Sequence, residues 1–261
     1  MTPEHIDELF GKTLAGDYED DAAWHAVHDL HRIGSREVFD RAAEWCRSND
    51  PLVRTCGLDV LAQIGRSAEH PSNSFSDESF RIVAGVLKDE RETRPLDSAI
   101  TALGHLDNPA AIPLILQFLS HSNSDVRHAV AFALGSFPND PRTSEGLLAL
   151  TKDPDENVRD WATFALGVLG ERDSSEIRAA LLQRLNDADE DVRAEAMAGL
   201  GKRRDRRVLP ALVEALAEAD ASRPVIEGAC HMLDMQADRE GWNTADYASA
   251  LRERFDFRSG E

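Results

Sequence analysis

The chain has 261 residues, with 48 Asp and Glu against 29 Lys and Arg, for a formal net charge of -19. A phosphate backbone would be repelled over most of such a surface, which disfavours nucleic acid as a partner. Apolar residues are spread evenly with no low-complexity linker, predicting one elongated domain over 1–261, and three scattered cysteines, Cys46, Cys56 and Cys230, exclude a disulfide framework and a CxxC zinc site.

In chain order, the opening MTPEHIDELF is acidic where a secretory leader is basic, so no leader is expected. The first helical segment carries His25, His28 and His31 as H-x-x-H-x-x-H. At about 100° per residue these fan around a helix, so surface histidines are expected there rather than a metal site. VRTCGLDVLAQIG follows at Val53, and then the polar stretch RSAEHPSNSFSD, read as an inserted loop at 66–77. The longest apolar run, AAIPLILQFL, is too short to span a bilayer, so no membrane segment is expected.

Self-similar segments then recur: VRHAVAFALG at Val126, VRDWATFALGVLG at Val158 and VRAEAMAGLG at Val192. A leucine anchors each copy at Leu30, Leu61, Leu103, Leu134, Leu166, Leu200 and Leu233, with separations of 31, 42, 31, 32, 34 and 33. Four residues earlier stand the compact Ala26, Gly57, Ala99, Val130, Ala162, Ala196 and Ala229, on the same helical face. Eight residues earlier stand Ala22, Val53, Pro95, Val126, Val158, Val192 and Val225, which extend the stripe. Each of these A helices is followed by a second helical segment such as SSEIRAALLQRL or RRVLPALVEAL. One hairpin cannot bury its own apolar face, so neighbouring hairpins must stack.

The VR-x-x-A-x-x-A-L-G pattern resembles HEAT repeats, especially the short class of the phycobilin lyases. That resemblance implies an all-α fold, an α-α superhelix or right-handed solenoid of about seven HEAT-type hairpins. Residues 1–49 and 221–261 would be its capping regions. Copies one, three and seven are degenerate, with Ala23, Leu96 and Ile226 in place of the arginine. Arg54, Arg127, Arg159 and Arg193 recur at one register position, with Asp125, Asn157 and Asp191 two residues before the last three, predicting a structural ladder of polar links between repeats.

Acidic residues cluster before the A helices in GDYEDD, DERE, DPDEN, DADED and AEAD. Helix capping needs one carboxylate per helix, so the surplus predicts an acidic rim, with Asp153, Asp155, Glu156, Asp187, Asp189 and Glu190 as partner-binding candidates. DADED fails as a calcium loop, because Val192 and Ala198 stand where Gly and Glu are required. The turns inside the hairpins, with Arg36, Arg66, Arg142, Arg172 and the run KRRDRR, predict an opposite rim of positive sign. Leu114 with Phe118, and Phe132 with Phe164, exceed what a buried stripe needs and are candidate apolar anchors.

No nucleophile elbow, phosphate loop or dinucleotide fingerprint is present. None of the nine histidines is followed by Glu, as the iron-binding dipeptides of HEAT-type deoxyhypusine hydroxylases require. The expectation is therefore a non-catalytic, cytoplasmic scaffold without cofactor or metal, binding a protein with a basic surface or segment. The alternatives are an acidic inhibitor of a nucleic-acid-binding enzyme and an accessory enzyme of the bilin lyase type.

Overall fold

A computed structural model describes residues 3–15, 21–218, 220–236 and 238–256. The GDYEDD segment lies largely outside them, as does Ala219 of AEAD. The chain divides into two compact units, 1–137 and 138–261, and each is described by itself.

Unit 1 holds α1 (Pro3–Thr13), α2 (Asp21–Ile33), α3 (Arg36–Trp45), α4 (Pro51–Gln63), α5 (Ser76–Asp89), α6 (Thr93–His105), α7 (Ile112–Ile115) and α8 (Ser124–Gly135). Unit 2 holds α9 (Pro141–Leu150), α10 (Glu156–Phe164), α11 (Ser175–Arg184), α12 (Glu190–Lys202), α13 (Leu209–Ala215), α14 (Arg223–Met232) and α15 (Thr244–Phe255). The all-helical repeat fold expected from the register is borne out. The seven anchored segments are α2, α4, α6, α8, α10 with its extension, α12 and α14, whereas α1 stands outside the register and packs on α2.

Four of the A helices, α4, α8, α10 and α12, start where a side chain satisfies a free amide, whereas the N-cap residues of α6 and α14, Glu92 and Ser222, make no such bond. Asp50 accepts from the Leu52 amide, Asn123 from Asp125 and Val126, Asp155 from Asn157 and Val158, and Asp189 from Val192. The compact residues four before each anchor are all buried, as are all the anchors except Leu233. Ala22 departs from the expected stripe: it is exposed, and Ala23 is buried in its place.

Within each unit, neighbouring A helices pack on one another: α4 on α6 and α6 on α8, α10 on α12 and α12 on α14. Their small residues set the spacing. A Cβ placed on Gly201 of α12 would lie 2.5 Å from the Gly228 carbonyl oxygen and 2.7 Å from its Cα on α14. The polar stretch expected as a loop over 66–77 ends earlier, since Ser76 and Asp77 already belong to α5, and it caps α4: the Asn73 amide donates to the Leu61 and Ala62 carbonyls, and Ser74 N–H to Ile64.

The PAAIPLILQFL segment is a correction. It is three short pieces, a 3-10 turn over Pro109–Ala111, α7, and a second 3-10 turn over Leu116–Phe118. Leu114 and Phe118 therefore do not share one continuous α-helical face. Ile112 and Ile115 are fully buried, but Leu116 and Leu119 are only half-buried, as are Leu114 and Phe118. No helix among the described residues is long and apolar enough to cross a membrane.

Candidate functional site

The arginine ladder accounts for part of the acidic loops. In each of the four copies, Nη1 of the arginine pins its own loop: Arg54 donates to Ser48 O, Arg127 to His121 O, Arg159 to Asp153 O and Arg193 to Asp187 O, at 2.7–3.0 Å. In the Arg54 and Arg159 copies the opposite edge of the guanidinium also reaches the next repeat. Arg54 holds Glu90 through Nε and Nη2 at 2.7 and 3.0 Å, and Arg159 holds Asp187 the same way at 3.0 and 2.8 Å. The acceptors in these two rungs are loop carboxylates of the following repeat, Glu90 and Asp187, and Asn157, two residues before Arg159, is not one of them.

Asp187 is consequently not rim surface. Its side chain is 4% exposed, and Arg184 adds a third bond at 3.0 Å. Burial works to raise its carboxyl, but Arg159 and the Asp189 amide outweigh this, and it lies below its ordinary range. Asp153 is also buried, with Oδ1 accepting from the Asp155 amide at 3.0 Å. Asp155 and Asp189 are helix caps, and of these candidates only Glu156 and Glu190 are exposed. Phe132 is half-buried with its ring 5.2 Å from His105, and Phe164 is half-buried in an edge contact with Trp161 at 5.6 Å.

The expected positive rim is corrected too, because its cations are largely spent within the fold. Arg36 pairs with Asp40 and Glu78, Arg142 with Asp140, Lys202 with Glu171, and Arg207 with Asp205. Arg203 is 4% exposed and caps carbonyls. His31 was expected at the surface. Instead it is buried, its Nε2 sits 2.9 Å from the Asp59 carbonyl, and burial lowers its pKa to about 4.

One site was missed by sequence reading. Glu195 on α12 lies within electrostatic reach of Asp160 on α10, of Asp191 on its own helix and of Glu227 on α14, a carboxylate cluster spanning three successive A helices of unit 2. Burial, and then repulsion from Asp191 and Asp189, raises Asp160 to about 6. Burial, and then repulsion from Asp160, Glu227 and Asp191, raises Glu195 to about 7. Asp160 Oδ1 is buried with no hydrogen-bond partner, while Glu227 is tied to Arg223 at 2.8 Å. The available signal was register: Asp160 and Glu227 both stand six residues before their anchors. Among the described residues, no three His, Cys, Asp or Glu side chains are grouped so as to hold a metal ion.

The cluster gives a pH prediction. Asp160 and Glu195 have folded pKa values above their ordinary ones, so their contribution is most favourable at low pH and is lost as pH rises from about 4 through about 7. Glu195→Gln should therefore stabilise unit 2 by about 2 kcal/mol at pH 8 and by nothing measurable at pH 4. His31 has the opposite sign, since its folded pKa is depressed: its contribution is complete above about 6.5 and is lost as pH falls towards 4. Hydrogen exchange at pH 5 and 8 should show acid weakening unit 1 through His31 and strengthening unit 2 through the cluster. A Glu195→Gln effect equal at pH 4 and 8 would contradict the raised carboxyl.

Helix hairpins stacked through small residues, with an arginine at one register position tying successive repeats, define a HEAT-repeat protein. The family model for HEAT repeats matches residues 86–167 and 145–234, and the chain belongs to that family. The chain is 31% identical over 234 residues to Protein YibA of Escherichia coli (strain K12), covering 87% of this chain and 80% of YibA. The X-ray structure of the Escherichia coli YibA matches with a TM-score of 0.70 at 26% identity, covering 94% of this chain and 92% of that one.

Phycocyanobilin lyase subunit alpha of Nostoc sp. (strain PCC 7120) is 26% identical over 146 residues, 56% of this chain and 53% of that protein. Deoxyhypusine hydroxylase of Phaeosphaeria nodorum is 35% identical over 81 residues, 30% of this chain and 25% of that protein. Both of these relatives carry the names of enzymes, which overturns the expectation of a non-catalytic chain. The physical reason is that a repeat register describes the scaffold, and catalytic groups on such a scaffold need form no contiguous motif.

Proposed function

We propose that this chain is a protein-binding HEAT-repeat module whose unit 2 receives a cationic segment of a partner on the carboxylate cluster. The observation that carries this reading is Asp160, with one carboxylate oxygen buried and unbonded and its pKa raised to about 6 beside Asp191 and Asp189. Holding Asp160 and Glu195 together costs folding free energy at neutral pH. A Lys or Arg from a partner supplies the missing countercharge. Trp161 and Phe164, on the same helix as Asp160, add aromatic surface for the stem of such a side chain. The net charge of -19 speeds the encounter with a basic partner.

The test is fluorescence anisotropy with a lysine-rich peptide blocked as its C-terminal amide. Asp160→Asn with Glu195→Gln should weaken binding at least ten-fold, and raising salt from 50 to 300 mM should weaken it further. Both substitutions relieve repulsion in the folded state, so lost binding cannot be ascribed to unfolding. Unchanged affinity in the double variant would sink the reading.

A second reading, an accessory role of the bilin lyase type, is favoured by the likeness to the phycocyanobilin lyase subunit. It expects a coloured covalent adduct when the chain is incubated with phycocyanobilin and an apo acceptor protein.

A further inference from the structure

The rung after Arg159 is open. Arg193 uses Nη1 to hold the Asp187 and Ala188 carbonyls, as its counterparts hold their own loops, but its Nε and Nη2 edge meets no carboxylate among the described residues. Asp220 occupies the register position that Glu90 and Asp187 fill in the closed rungs, six residues before the arginine position of its copy. It is exposed and makes no ion pair among the described residues. Both Arg193 and Asp220 line a groove of about 550 Å³ between α12, α13 and α14, whose apolar lining includes Met197 and Val225.

The closed rungs state what this fork accepts: a carboxylate gripped through both nitrogens at 2.7–3.0 Å. The groove also carries Glu190, Glu214 and Glu218, so a carboxylate arriving alone is repelled. The occupant that satisfies both conditions brings its own cation.

We propose that this groove binds the C-terminal residue of a polypeptide ending in lysine or arginine. The α-carboxylate seats on the Nε/Nη2 edge of Arg193, and the cationic side chain lies among Glu190, Glu214 and Glu218. A groove of this volume holds a few residues. The site goes beyond the carboxylate cluster above, with which it shares only Asp191 in its lining.

The probe is a fluorescein-labelled eight-residue Gly-Ser-Ala peptide ending in lysine, compared as free acid, as amide, and as a free acid ending in alanine. Amidation and loss of the terminal lysine should each weaken binding at least ten-fold, and Arg193→Lys, which keeps the charge but loses the fork, should weaken the free acid to a similar degree. Asp220→Asn should tighten the free acid several-fold by removing a competing carboxylate, and this variant carries the test if Arg193→Lys fails to fold. Equal affinity of acid and amide, no binding of the free acid, or weaker binding by Asp220→Asn overturns the proposal. Binding of the amide alone, sensitive to Glu195→Gln, leaves the carboxylate-cluster reading standing without this one.

Discussion

Arg203→Leu should unfold unit 2 at a far lower denaturant concentration, with a loss of about 3–5 kcal/mol. The guanidinium is buried, and it serves five carbonyl oxygens. Nη1 donates to Gly167 at 2.5 Å and Gly199 at 2.9 Å, and Nη2 to Leu166 at 3.0 Å, Gly170 at 3.3 Å and Arg172 at 2.8 Å. The Gly199 oxygen belongs to α12 itself, and the other four lie at or just past the point where α10 runs into a π-helical turn over Ala165–Leu169 and ends at Gly170. Such an end leaves carbonyls without intrahelical donors, and a neighbouring side chain has to serve them. Leucine fills much of the volume and none of the acceptors. Denaturant titration of the wild-type and variant chains, with hydrogen exchange to localise the loss to residues 138–261, checks the effect. A change below about 1 kcal/mol would mean that water satisfies those carbonyls equally well.

Gly201→Ala should cost about 2–4 kcal/mol, although it adds a single methyl group to a helix and raises helix propensity. The new Cβ would stand 2.5 Å from the Gly228 carbonyl oxygen and 2.7 Å from its Cα, and both are backbone atoms that no rotamer change can clear. Either α12 and α14 move apart, opening the packing around Ala196 and Ala229, or the crossing shifts along the helices. A compensating substitution is unavailable on α14, since residue 228 is already glycine. Gly85→Ala is the control: nothing lies within 4 Å of its Cβ, so the propensity gain should appear there as equal or greater stability. Thermal melts of the two variants give the comparison, and a Gly201→Ala midpoint equal to wild type would argue against the close crossing.

Both effects arise at positions whose residue types were visible in the sequence but whose roles were not. In the sequence Arg203 is one member of the basic run KRRDRR, and Gly201 simply follows the anchor Leu200. The sequence by itself determined the features that depend on local periodicity: seven anchored A helices, the compact residues four before each anchor, the Asp and Asn caps of four of those helices and the four ladder arginines. Each of these follows from 3.6-residue spacing or from the free amides at a helix start, which act within a few residues along the chain.

The tertiary structure alone decided which groups the stacking brings opposite one another. It gave Asp187 to Arg159 across 28 positions, buried Arg203 against the end of α10, and set Asp160 beside Asp191 on the next helix, where their repulsion is felt. It also left Arg193 with an open fork and broke the PAAIPLILQFL segment into short turns. These outcomes depend on the offset and crossing of one helix against the next. That offset is set by close contacts such as Gly201 on Gly228, and no local spacing records it.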